Sequence, residues 1–236
     1  DADARVFDDH AHQGLGGYAT SPGSAYALTG RDDYARAFVW LIKRWKEHYD
    51  TKPDTYGGPW GMDADFALYS LMPQWDLVEE SPALTDEDRL AVTRILFEFT
   101  SSDCAPKAQG VVGNERVRFN HQTFPALGLF YAGEYFTRHY ELAEGALWTQ
   151  IADACFQVQA KAWKPHEDCN GYQWLTLGHL IRYALAKPDF TYFENGNARK
   201  AAELAILSSD NLGYSVTYGD TGAYVGWWSE NPILSA

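Results

Sequence analysis

Two kinds of helical segment alternate along this chain, and that alternation most narrows the folds open to it. Segments around 18–28, 62–78, 120–139 and 166–186 are apolar most of the way round. Each is followed, after a short turn, by a segment that is apolar along one face only: 33–48, 85–99, 144–162 and 197–208. A helix apolar on all sides has to be buried, whereas a one-faced helix covers what it packs on. A loop with polar residues opens each round. With His10, Asp63, Asn120, Asp168 and Asp220 as markers, the rounds step by 53, 57, 48 and 52 residues. Recurring helix pairs are the signature of a repeat architecture. An inner ring of buried helices wrapped by an outer ring satisfies both patterns, giving an all-α (α/α) toroid, and an open right-handed solenoid of hairpins is the competing arrangement.

The rounds also count. Four complete pairs are visible, and a fifth begins at Tyr218-Gly219-Asp220-Thr221-Gly222 and runs into Trp227 and Trp228. The expected form is therefore an incomplete barrel, a single domain over 1–236. Its apolar open edge is expected to be covered by the rest of a longer polypeptide or by a second chain, because soluble monomers rarely tolerate a large exposed apolar patch.

Individual helices carry their own signals. The segment 33–48 places Tyr34, Phe38, Leu41, Ile42 and Trp45 on one face, as a surface helix does. Thr85 followed by Asp86, Glu87 and Asp88 reads as an N-cap with acids in the first turn. The three cysteines, Cys104, Cys155 and Cys169, form no disulfide framework and no zinc spacing. Cys155 falls on the stripe Leu147, Ile151, Val158 as a small buried hydrophobe, while Cys104 and Cys169 read as loop residues, with one pair among the three left open.

Composition excludes some functions. Thirty-two acids against nineteen bases give a net charge of −13, which argues against nucleic-acid binding. No stretch of apolar residues is long enough to span a membrane. Aromatic residues make up 15% of the chain, more than a core needs, and exposed rings commonly stack on sugar faces, so a carbohydrate ligand is expected.

The polar loops hold the candidate chemistry. Arg116 and Arg118 approach a loop end, and Asn120 and His121 then sit side by side where a helix begins. Pro125 is expected in its first turn, followed by the stripe Phe124, Leu127, Tyr131 and Tyr135. Free N–H groups and the helix dipole make such an end suited to anions. The plain alternative is that Asn120 caps the helix and His121 is a solvated loop residue. If all inner helices open on one side, one funnel would gather His10, His12, Asp63, Asp65, Asn120, His121, Glu167, Asp168, Tyr172 and Asp220.

Asn120-His121, together with the run His166-Glu167-Asp168-Cys169-Asn170-Gly171-Tyr172-Gln173-Trp174, resembles the toroidal polysaccharide lyases of the alginate lyase, heparinase II/III-like and glucuronan lyase groups. The resemblance implies a secreted or periplasmic lyase acting on an anionic, uronate-containing polysaccharide, without metal or organic cofactor. It implies that Asn120, helped by Arg118 or Arg116, neutralises the substrate carboxylate, and that His and Tyr move the protons. Such an elimination removes a weakly acidic C5 proton, so donors at the carboxylate must stabilise the charge that develops there. His121 is the expected base, a tyrosinate near the arginines being the other option, and Tyr172 the expected acid, with Tyr183 its rival farther along the helix. His166, Glu167, Asp65 and His12 are expected substrate contacts, and Trp60, Trp174, Trp227 and Trp228 possible sugar platforms.

Two other functions stay open. A glycoside hydrolase needs two carboxyl groups ~5 to ~9.5 Å apart, and Asp63, Asp65, Glu167, Asp168 and Asp220 all fall at funnel positions. A non-catalytic sugar-binding protein would need only the repeat and the aromatics. The group Asp8, Asp9, His10 and His12 invites a metal but lacks further ligands at a recognisable spacing, so none is assigned.

Overall fold

The computed structural model describes residues 15–51, 60, 64–165, 169–212, 214–216, 218–219 and 233. His10, His12, Asp63, His166, Glu167, Asp168, Asp220, Trp227 and Trp228 lie outside the described residues, as do Asp8 and Asp9. Within them the chain is all-α. The helices are α1 (Leu15–Thr29), α2 (Asp32–Thr51), α3 (Leu68–Val78), α4 (Asp86–Phe99), the short α5 (Ala105–Gln109), α6 (Asn120–Tyr140), α7 (Ala143–Ala160), α8 (Asn170–Ala186), the single turn α9 (Thr191–Glu194) and α10 (Asn197–Leu207). A 3-10 turn, Ala64–Phe66, precedes α3, and a π-type turn, Thr100–Cys104, joins α4 to α5. The described residues contain no strand, only one antiparallel bridge between Ser209 and Ser215.

The expected alternation is present only in part: α1 and α3, expected to be buried most of the way round, are buried along one stripe, Ala19 with Gly16 and Gly23 in α1 and Leu68, Leu71, Met72, Trp75 and Val78 in α3. In α2, Ala35, Phe38, Leu41, Ile42, Trp45 and His48 are buried along one stripe, and in α7 the buried set Trp148, Ile151, Ala152, Cys155, Phe156 and Gln159 repeats that spacing. In α6, by contrast, burial is almost unbroken from Gln122 to Phe130. Thr85 accepts the Asp88 N–H while the Asp88 carboxylate takes the Thr85 N–H, a reciprocal cap that fixes the start of α4.

Helices α1, α3, α6 and α8 stand in a row, each packed on the next. Asp65, just before α3, meets His121 at the start of α6, and Glu79, just after α3, meets Tyr135 near the end of α6. Those two contacts make α3 and α6 parallel. Thr123 with His179 and Phe130 with Tyr183 run in the same order, so α8 is parallel as well. The one-faced helices pack behind the row: α2 on α1 and α4, and α7 on α6 as an antiparallel hairpin. At the α6–α7 crossing, Gly133 and Gly145 bring the two backbones into direct contact, and a Cβ on Gly133 would lie 2.7 Å from the Gly145 carbonyl oxygen. Only glycine permits that approach.

Two details differ from the sequence expectation. Helix α6 begins at Asn120, with Phe119 as its extended N-cap residue, so Asn120 is the first helical residue rather than the cap. Pro125 then falls in the second turn, where its missing N–H leaves the His121 carbonyl without the usual helical donor. Cys104 belongs to the π-type turn rather than to a loop, and all three cysteines are buried and outside any disulfide.

The two ends of the row carry exposed apolar side chains, Tyr18 and Leu28 on α1, and Leu185, Ile206 and Leu207 on α8 and α10.

Candidate functional site

Three segments that are remote in sequence meet at the head of α6. The 3-10 turn delivers Asp65, fully buried; the π-type turn delivers Asp103 and α5 delivers Lys107; α6 delivers His121. Lys107 Nζ donates to Asp65 Oδ1 at 3.1 Å and to Asp103 Oδ2 at 2.9 Å. The other Asp65 oxygen, Oδ2, lies 3.2 Å from His121 Nδ1. Burying a carboxylate is costly unless it is paired and hydrogen-bonded, and here Lys107 and His121 share that task. Burial pushes the Asp103 carboxyl up from its ordinary value, against the pull of Lys107. Burial acts to lower the Lys107 ammonium, but the fields of Asp65 and Asp103 outweigh it, and the group is raised. Lys107 therefore stays charged between the two acids.

The His121 side chain is about one-third exposed, at 35%, with its ring 4.7 Å from Phe66 and 6.4 Å from Phe119. Because Nδ1 faces Asp65, Nε2 is the ring nitrogen turned away from the anchoring acid. This is the orientation in which a carboxylate fixes the tautomer of a histidine and balances the imidazolium that forms when Nε2 takes a proton.

Asn120 is buried beside it, and its Oδ1 accepts the His121 N–H at 3.1 Å. Arg116 and Arg118 are exposed in the preceding loop, and the Gln122 side chain holds that loop by accepting the Arg118 N–H at 2.8 Å. Tyr172 is half-buried in the first turn of α8, the neighbour of α6 in the row. The next residue, Gln173, donates to the phenol of Tyr218 at 2.7 Å, so the fifth polar loop also reaches the head of α8.

Two expected site residues are placed elsewhere. Tyr183 is buried more than three turns down α8, stacked on Phe156, and its hydroxyl donates to Asp153 Oδ1 at 2.6 Å. Burial and that hydrogen bond drive its phenol far above the ordinary tyrosine range, so it is neither exposed nor ready to ionise. Trp60 is not a platform but a core residue, stacked on Tyr49 with ring centroids 4.1 Å apart and donating its indole N–H to Ser102. Trp174 is likewise buried. His12, His166 and Glu167 lie outside the described residues.

Reasoning from sequence missed Lys107, Asp103 and His179. The spacing of Asp103 and Lys107 is that of an i, i+4 pair, but nothing in the chain links it to position 65. His179 is a single histidine in an apolar helix. It is buried, with Nδ1 2.9 Å from Thr123 Oγ1, and burial together with the nearby Arg182 charge lowers it to about 3. It is a neutral histidine under Phe124, whose ring lies 4.0 Å away.

Among the described residues, one group brings together three metal-type donors, Asp76, Glu79 and His139, at the opposite end of the row. Arg138 already pairs with Asp76, at 2.6 Å, and the Tyr135 hydroxyl with Glu79, at 2.7 Å, so the group reads as an ion-pair network. Comparison of the chain with protein-family models, with curated proteins and with solved structures finds no match.

Proposed function

We propose that this protein is a polysaccharide lyase that cleaves a uronate-containing polysaccharide by β-elimination, on an incomplete (α/α) toroid. The observation that carries this reading is the pairing of the buried Asp65 carboxylate with Nδ1 of His121. It supports His121 as a general base acting through Nε2. In this scheme His121 takes the C5 proton of the uronate, and the electron pair passes toward the carboxylate, where the Asn120 amide and Arg118 or Arg116 balance it. The pair then forms the C4–C5 double bond as the C4–O4 bond breaks, and Tyr172 delivers a proton to the departing oxygen. The parallel run of α3, α6 and α8 supports the inner wall of a toroid, since it sets the starts of these three helices at one end.

A hydrolase at the same position would need a carboxylate free to attack or to activate water. Both oxygens of Asp65 are already committed to Lys107 and His121. The deciding experiment supplies alginate, glucuronan, heparan-type and pectic polymers and follows ultraviolet absorbance alongside reducing ends. Elimination gives both signals together. New reducing ends without the absorbance of an unsaturated uronate would replace the lyase with a hydrolase.

A further inference from the structure

Farther down the row from His121, α8 presents the guanidinium of Arg182. Arg182 is exposed, and no carboxylate lies within ion-pair distance of it among the described residues. Its Cζ sits 5.2 Å from the centroid of the Tyr69 ring of α3, with the ring as a cation–π partner. From α6, Tyr131 is close enough for the Arg182 charge to act on its phenol, against the burial that raises it. Both tyrosines are half-buried, so each shows part of a ring to solvent.

This trio is connected to the head of α6. Tyr69 lies 5.9 Å from Phe124, Phe124 stacks on Phe66 at 4.0 Å, and Phe66 lies 4.7 Å from His121. A chain of ring contacts, through the buried Phe124, thus connects the imidazole with the ring under the guanidinium. The trio's chemistry suits an acidic sugar: ring faces for the apolar C–H side of a pyranose, and a planar fork of donors for its carboxylate. The overall charge of −13 makes such a cation more necessary, because the field of the whole chain repels an anionic polymer.

We propose that Arg182, with Tyr69 and Tyr131, forms a subsite that binds the carboxylate of a uronate unit next to the one at His121. This rests on the lyase reading for the identity of the ligand. Arg182 is a binding residue here, and the reacting unit stays with His121.

The test measures binding of glucuronate and mannuronate tetrasaccharides, with cellotetraose as the neutral control, by calorimetry at low salt. His121→Ala is the background, so that turnover does not consume the ligand. Arg182→Gln should weaken the acidic tetrasaccharides about tenfold or more and leave cellotetraose and the melting temperature unchanged. Arg182→Lys, which keeps the charge but not the fork, should fall between. Equal affinity with and without Arg182, an equal loss for neutral and acidic sugars, or no binding of either acidic tetrasaccharide overturns the subsite. Ultraviolet assays on the otherwise unaltered protein separate the two ideas. Arg182-dependent acidic binding without elimination leaves the subsite and removes the lyase, whereas elimination that does not depend on Arg182 does the reverse.

Discussion

Nδ1 of His121 lies 3.2 Å from Oδ2 of Asp65, a carboxylate with no exposed surface that reaches the imidazole from 56 residues earlier in the chain. The pair holds one ring nitrogen and directs the other, so its loss should act on turnover more than on folding. Asp65→Asn is expected to lower kcat by about 10²- to 10⁴-fold, the range a positioned general base contributes. Initial ultraviolet rates on the preferred polyuronate measure it, with circular dichroism as the folding control. A rate within twofold of the parent would separate Asp65 from the chemistry.

The two tyrosines of α8 should behave oppositely. Tyr172→Phe is expected to abolish most turnover and leave the melting temperature nearly unchanged. Tyr183→Phe should keep turnover and cost about 1 kcal/mol, because a buried hydrogen bond to Asp153 is lost while Lys187 still pairs with that acid. Kinetics and thermal melts on both variants decide the assignment, and a reversed pattern would move the acid to Tyr183.

Backbone contact between α6 and α7 gives a pair of glycine predictions. Gly133→Ala pushes a methyl group against the Gly145 carbonyl, and should destabilise the protein by about 1–3 kcal/mol. Gly17→Ala, on the open side of α1 where a Cβ meets nothing within 4 Å, should stabilise it by about 0.5–1 kcal/mol. Urea titrations of the two variants check both signs.

His179 gives a pH prediction. Its folded-state value is lowered to about 3, against 6.5 for an ordinary histidine, so below pH 6.5 the unfolded chain takes up a proton that the folded one refuses. The stability associated with its neutral form is complete above pH 6.5 and falls by about 1.4 kcal/mol per pH unit on the way toward pH 3. Melting temperatures from pH 7 to pH 4 should drop more steeply for the parent than for His179→Asn. Identical slopes would show that His179 keeps its proton in the fold.

Much of the architecture is written locally. The stripe of α2, the reciprocal cap of Thr85 and Asp88, the one-faced pattern of α7 and the polar pair opening α6 are short-range patterns, and short-range hydrogen bonding and burial decide them. One further local mark went unread: Pro22, Pro73 and Pro125 lie inside α1, α3 and α6 at steps of 51 and 52 residues, repeating the helix-pair period.

The site was only half legible. Asn120, His121 and Tyr172 stand out because each sits at a helix start, which loop and helix patterns reveal. Which carboxylate would serve His121 was not readable, since Asp63, Asp65 and Asp168 are equivalent acids in polar loops until the row of parallel helices selects one. Lys107 reaches Asp65 across 42 residues, and Arg182 stands over Tyr69 across more than a hundred. The same holds for the corrections. Sequence marks Trp60 and Tyr183 as aromatic residues near polar segments, but only packing decides that one ring stacks on Tyr49 and the other hydroxyl turns to Asp153. The sequence alone determined where helices begin, which faces are apolar and how the rounds recur, because those depend on residues within a turn or two of each other. The tertiary structure decided which side chains meet, because a contact between rounds is set by how whole helices stack, and no local pattern encodes that register.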